Sequence, residues 1–149
     1  RPDLPVAYDV RLDDARAHRD HADLLGELDR QRLGKQRIEV VQILRALLVP
    51  GAGWANHPAA KMWRGYEKAL ARFGLCTCVE WIERGYKDGQ VEVILGFMHD
   101  LSETGNPPWL GRDDVHEAYR SNLIRKAPEH YRAFWPDTRN DLPYVWPVE

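Results

Sequence analysis

Two cysteines, two methionines and no long apolar run set the first limits on this chain of 149 residues. Cys76 and Cys78 stand two positions apart. On a helix, their expected setting, the side chains diverge by about 200° and can neither bridge nor chelate one metal together. They read as small core or boundary residues in a reducing cytoplasm, and a disulfide scaffold is excluded. Nothing approaches the roughly 20 apolar residues that span a bilayer, so no membrane partner is expected. The opening RPDLPVAYDVRLDD is acidic and proline-bearing, unlike a secretory leader. It starts at Arg1 rather than Met, which is read as processing or trimming. His18, His21, His57, His99, His116 and His130 show no ligand spacing, so no zinc site is expected.

A dominant charge is also lacking. Twenty-one Lys and Arg face 23 Asp and Glu, for a net charge of −2. That balance argues mildly against non-specific nucleic-acid binding. Its distribution argues the other way: acids crowd the first thirty positions, whereas cations cluster at 30–45, 61–72 and 120–126. A local basic groove is compatible with this pattern.

Length suits one domain with a real core, and 44% hydrophobic with 30% charged residues is ordinary for a globular protein. The clearest element is LDRQRLGKQRIEVVQILRALL, residues 28–48. At 100° per residue, Leu33, Val40, Val41, Leu44, Leu47 and Leu48 make one apolar stripe. The opposite face collects Arg32, Lys35, Glu39 and Gln42. A lone carboxylate among cations is expected to have a lowered pKa and stay ionised at neutral pH. Such a group suits a reaction with a cationic intermediate, beside cations suited to phosphates. The plainer alternative is a solvated helix face with an ordinary Lys35–Glu39 pair.

Pro50 and Gly51 should stop this helix. GAGWANHP, residues 51–58, reads as a glycine-rich loop around Trp54, Asn56 and His57. A second long helix is predicted from Pro58, bearing Met62, Trp63, Tyr66, Leu70 and Phe73 on a core face, with a break at Gly74. It should resume from Cys76 to Arg84 and end at Gly85. Val91–Leu101 fits helix or strand. Pro107 and Pro108 break the chain, and 111–126 reads as a last helix capped by Asp113 or Asp114. Residues 1–20 look like an irregular arm, with a short helix expected near Arg16 to Leu25. The tail 136–149 should form a proline- and aromatic-rich surface strap. The expectation is an all-α, single compact multi-helix domain over 1–149.

Several of these segments together resemble a known family. ELDRQRLGKQRIE, the Gly51-Ala52-Gly53 loop, the Tyr66-Glu67-Lys68-Ala69-Leu70 run and Glu80 to Tyr86 are similar in order and spacing to the phage endonuclease V type of pyrimidine-dimer DNA glycosylase. GRDDVHEAYRSNLIRK and the EHYRAFW run extend the likeness, which covers about Glu27 to Trp135. RLGKQR, NHPxxxMW and DLPYVWP match a compact bacterial branch more closely still.

The resemblance implies an all-α DNA repair glycosylase, in many members with an associated lyase activity, acting on damaged or modified pyrimidines in double-stranded DNA. It implies no cofactor. The family's essential glutamate falls on Glu39, with Lys35 one turn back as its partner. Breaking an N-glycosidic bond builds positive charge at C1′, which a nearby carboxylate stabilises. The family's nucleophile is an N-terminal α-amine, but 38 residues precede Glu39 here and Arg1-Pro2 is no match. The attacking group is left among that amine, Lys35 and water. Two of the family's phosphate-binding arginines fall on Ile38 and Gln42, with Arg37 beside the first, and a third falls on Lys126 or Arg125. With Arg32, Trp54, His57, Arg120 and Asn122, these form the expected DNA-binding set for a monomer. The rival readings are a non-catalytic nucleic-acid or protein binding module, and an enzyme cleaving a modified nucleoside.

Overall fold

A computed structural model describes residues 25–109 and 112–146. Among them the regular structure is entirely helical. The elements are α1 (Arg30–Leu48), α2 (Pro58–Lys61), α3 (Glu67–Glu83), α4 (Gln90–Met98), α5 (Asp113–Lys126) and α6 (Pro128–Tyr131). Residues 25–27 are also helical, whereas the rest of the short helix expected near Arg16 lies outside the described residues. No helix among them is long and apolar enough to cross a membrane.

The long helix α1 packs against α3 and α4 and meets α2. Leu33, Val40, Val41 and Leu44 are buried as the apolar stripe requires, and Leu47 and Leu48 are partly so. Burial extends well beyond the stripe, to Gln36, Arg37, Glu39, Ile43 and Ala46. Lys35 and Gln42 alone of the four-residue polar face are exposed, while Arg32 is half-buried and Glu39 is inside. The solvated-face expectation therefore holds for only part of that face.

Polar staples set the entry to α1. The Arg84 guanidinium donates to the carbonyls of Leu25 (3.0 Å), Gly26 (3.2 Å) and Leu28 (2.7 Å), and pairs with Glu80 at 3.0 Å. The Tyr131 hydroxyl donates to Asp29 and accepts from the Asp29 backbone N–H. These bonds tie the residues before α1 to α3 and α6, so the helix axis is fixed at its start.

Helix α3 runs unbroken through Gly74, contrary to the predicted interruption. A Cβ there would lie 2.6 Å from Val40 Cγ1 and 3.0 Å from Ile94 Cδ1. The glycine therefore marks the close approach of α3 to α1 and α4 rather than a helix end. The break falls earlier: the expected continuous helix from Pro58 is one turn, α2, then turn residues 62–65, with Gly65 at φ 89. Trp63 is nonetheless fully buried, edge-on to Trp109 at 5.1 Å. Cys76 and Cys78 both lie on α3 as free thiols. The ambiguous segment after Val91 is helical. In α5, Asp113 and Asp114 occupy the first turn and Arg112 the cap, correcting the expected aspartate cap. Their charges still face the positive end of the helix dipole.

The C-terminal segment to residue 146 is non-helical and held by arginines. Arg125 donates to the carbonyls of Asn140 (3.0 Å) and Leu142 (2.8 Å), while Ser121 Oγ accepts from Leu142 N–H at 3.1 Å. Tyr144, Val145 and Trp146 pack partly buried against the core.

The tight approach at Gly74 yields a stability prediction. Gly74→Val should destabilise the fold by about 2 kcal/mol, since β-branched Val40 cannot swing aside without repacking. A lowered denaturation midpoint with an unchanged m-value is expected. A midpoint equal to that of the parent would show that the α1–α3–α4 contact is looser than described.

Candidate active site

The site is built on α1. Gln36, Glu39, Val40 and Ile43 follow one another along its buried flank, next to the apolar stripe. Glu39 is only 4% exposed. Burial raises its pKa from the ordinary carboxylate range to about 8, against the opposing pull of the Lys35 ammonium. This overturns the expected lowered pKa. Lys35 is exposed and its field is screened by water, whereas the desolvation of Glu39 is not. At neutral pH the carboxyl holds its proton.

Another buried polar group, Gln36, lies on the same flank. Gln36 Nε2 donates to the Tyr119 hydroxyl at 3.5 Å, linking α1 to α5. His116, one turn before Tyr119, and Asn122, one turn after it, are buried on α5. None of Gln36, His116 and Tyr119 was singled out as functional from sequence. Buried polar residues inside an apolar periodicity are the signal that could have marked them.

An open groove of about 680 Å³ flanks the N-terminal half of α1, lined by Asp29, Arg30, Gln31, Gly34, Lys35, Arg37, Ile38 and Trp81. Glu39 is not part of its wall; Lys35 belongs to the groove and also acts on the Glu39 carboxyl. Gly34 lets Trp81 lie against the helix, because a Cβ there would be 3.1 Å from the indole. Trp81 packs on Tyr86 at 4.4 Å, and Arg30 stands over Tyr86 at 5.1 Å.

Several expected DNA contacts prove to have internal partners. Arg37 is buried, pairs with Asp88 and lies 4.5 Å over the Trp81 ring. Asp88 in turn accepts from the N–H groups of Gln90 (3.1 Å) and Val91 (2.9 Å), fixing the start of α4. Those bonds and the Arg37 pair hold its carboxyl below the usual range despite burial. Arg32 pairs with Asp29 at 3.2 Å and Arg120 with Glu117 at 3.4 Å. Arg125 holds the C-terminal strap and reaches Asn122 Oδ1 at 3.3 Å, so the buried Asn122 is a structural link. Lys126 is exposed at the end of α5.

In the loop after α1, His57 Nδ1 accepts from Ala59 N–H at 3.0 Å and caps α2. Trp54 is exposed and stacks on it. Among the described residues, no group of three His, Cys, Asp or Glu side chains could hold a metal ion.

A family model described as pyrimidine dimer DNA glycosylase matches residues 16–91. That span is just over half of the chain, and the chain belongs to the pyrimidine dimer DNA glycosylase family. Membership sets it among the DNA glycosylases of DNA repair. The span contains Glu39, Lys35, the Trp54 loop and Arg84, while α5 and the strap lie beyond it. No curated protein and no solved structure matches the chain.

The shifted carboxyl should be visible in stability. Between the ordinary carboxylate pKa and about 8, the folded state binds a proton that the unfolded state releases, so stability falls as pH rises through that window. The loss is on the order of a few kcal/mol and levels off above the folded pKa. Glu39→Gln should remove this component, leaving the variant more stable than the parent at pH 9 and nearly equal at pH 5. Denaturant midpoints across pH 5–9 would check it, and a difference between the two proteins that does not vary with pH would refute it.

Proposed function

We propose that this chain excises a pyrimidine base from lesion-bearing duplex DNA, with Glu39 as the acid–base group. The observation that carries the reading is a buried, proton-holding carboxyl on the central helix of a member of this glycosylase family. The C1′–N1 bond breaks with its electron pair leaving on the base, and Glu39 supplies the proton that the departing base takes up. The resulting carboxylate stands beside the positive charge at C1′ and stabilises it. Water attacks C1′ and returns its proton to Glu39, which restores the starting state. In this reading strand cleavage is weak, because no covalent imine forms between protein and sugar.

The raised pKa changes the chemistry anticipated for Glu39. An always-ionised carboxylate would act by electrostatics alone, whereas a protonated one also assists departure of the base, the harder step for a poor leaving group. Lys35, exposed on the adjacent groove wall, is suited to a phosphate near the reacting sugar. Lys126 and the partly exposed Arg120 supply further phosphate contacts from α5. With net charge near −2, binding rests on a few such contacts rather than on a broad basic surface.

Single-turnover glycosyl-bond cleavage in a duplex bearing one thymine dimer tests this, with release of the base from its own sugar read as the new abasic site. Glu39→Gln should slow release by about 10²-fold or more while duplex affinity stays within a few-fold of the parent. For the parent, release should decline as pH rises through about 8 and the carboxyl loses its proton. Release by the variant at the parent rate would remove Glu39 from the chemistry. Borohydride should trap little protein on DNA; an adduct at Lys35 would replace water with a lysine Schiff base.

A further inference from the structure

Among the described residues, Trp54 is the one non-glycine residue with positive φ, at 77°. A bulky side chain does not favour that conformation on its own, so its neighbours must hold it. The Trp54 carbonyl accepts from His57 N–H at 2.9 Å. The Arg64 guanidinium takes the next carbonyl, that of Ala55, at 2.5 Å. The product is a braced turn with an indole at its tip, 41% exposed. Of the two glycines flanking Trp54 in the loop, Gly51 is left-handed at φ 77 and Gly53 is not.

Behind the indole stands an aromatic block drawn from distant parts of the chain. Trp54 stacks on the His57 imidazole at 5.2 Å and 22°. His57 meets Trp146 edge-on at 5.9 Å, and Trp146 stacks on Tyr144 at 5.5 Å and 21°. His57 is itself fixed as the cap of α2, and the strap bearing Tyr144 and Trp146 is held by Arg125. A tryptophan needed only for packing would be inside, as Trp63 is nine residues later. Trp54 is instead kept in solvent, rigid from behind and open in front.

We infer that Trp54 is a wedge residue, whose indole enters the base stack of the bound duplex and fills the space left when a nucleotide is displaced toward Glu39. The inference rests on the glycosylase reading and extends it to how the duplex is opened. An enzyme that works on a base must break its stacking, and a flat apolar ring inserted at the gap replaces part of what is lost. Rigidity suits this role, since a preformed wedge loses little conformational freedom on insertion. Trp54 lies six residues beyond the end of α1 at Leu48, and Glu39 lies about 14 Å before that end along the helix axis.

The test uses the full chain and two probes. One is a duplex with a thymine dimer in fully paired context, with 2-aminopurine beside the lesion. The other carries the same dimer opposite a gap in base pairing. Trp54→Gly relieves the backbone strain and should keep the parent Tm, and Trp54→Phe keeps an aromatic ring. On the paired probe, Trp54→Gly should release base about tenfold more slowly or worse, while Trp54→Phe retains most of the rate. On the pre-opened probe the deficit should largely vanish. The parent should raise 2-aminopurine fluorescence on binding and Trp54→Gly should not.

An equal deficit on both probes, or parent-like release and fluorescence by Trp54→Gly, would overturn the wedge while leaving the glycosylase reading intact. Trp54-dependent opening without base release by the parent would preserve the wedge and overturn that reading. Failure of the parent to bind or open either probe would overturn both.

Discussion

Desolvation of one carboxyl on α1 is the constraint around which the site is arranged. Two unit charges at 4 Å interact by about 1 kcal/mol in water, whereas removing a carboxylate from water costs several. The exposed Lys35 therefore cannot keep Glu39 ionised, and the group accepts a proton. Holding such a residue inside requires that α1 be fixed, since a small rotation would return Glu39 to solvent. The Arg84 and Tyr131 staples set the start of the helix, and the close passage at Gly74 sets its depth against α3.

The fold uses its arginines for this purpose. Arg84 binds backbone carbonyls of the segment that leads into α1, Arg125 and Arg132 bind those of the non-helical C-terminal segment, and Arg37 is enclosed between Asp88 and Trp81. A guanidinium carries five N–H donors in a fixed fork, so one side chain can anchor several carbonyls in an irregular chain. Cations that look available for phosphate in the sequence are in several cases the struts of the molecule. In the proposed reading, a chain of net charge −2 meets DNA through the few cations that remain rather than through a basic excess.

Much of this was legible from the sequence. The α1 stripe, the loop at Gly51, the core role of Trp63 and the irregular C-terminal segment follow from periodicity and turn chemistry. The Glu80–Tyr86 segment was visible as a family signature, and the structure gives much of it a structural purpose: Glu80 orients Arg84, Gly85 adopts φ 93 at the helix end, and Tyr86 packs on Trp81. Illegible features depend on other segments. Periodicity on α1 cannot report what covers Glu39, and it underestimates burial on a helix contacted from several sides. Gly74 reads as a breaker by propensity because its function is steric, toward side chains 34 residues upstream and 20 downstream. The fates of Arg37 and Arg125 likewise depend on Asp88 and on the carbonyls of residues 140 and 142.

Everything in the proposed chemistry turns on Glu39 being a protonated acid in the folded protein at neutral pH. The most direct test is NMR titration of carbon-13-labelled glutamate carboxyl groups, with Glu39 assigned by the missing signal in Glu39→Gln. A midpoint of about 8 is expected, well apart from the exposed glutamates. A midpoint in the ordinary carboxylate range near 4.5 would contradict it and restore an always-ionised Glu39.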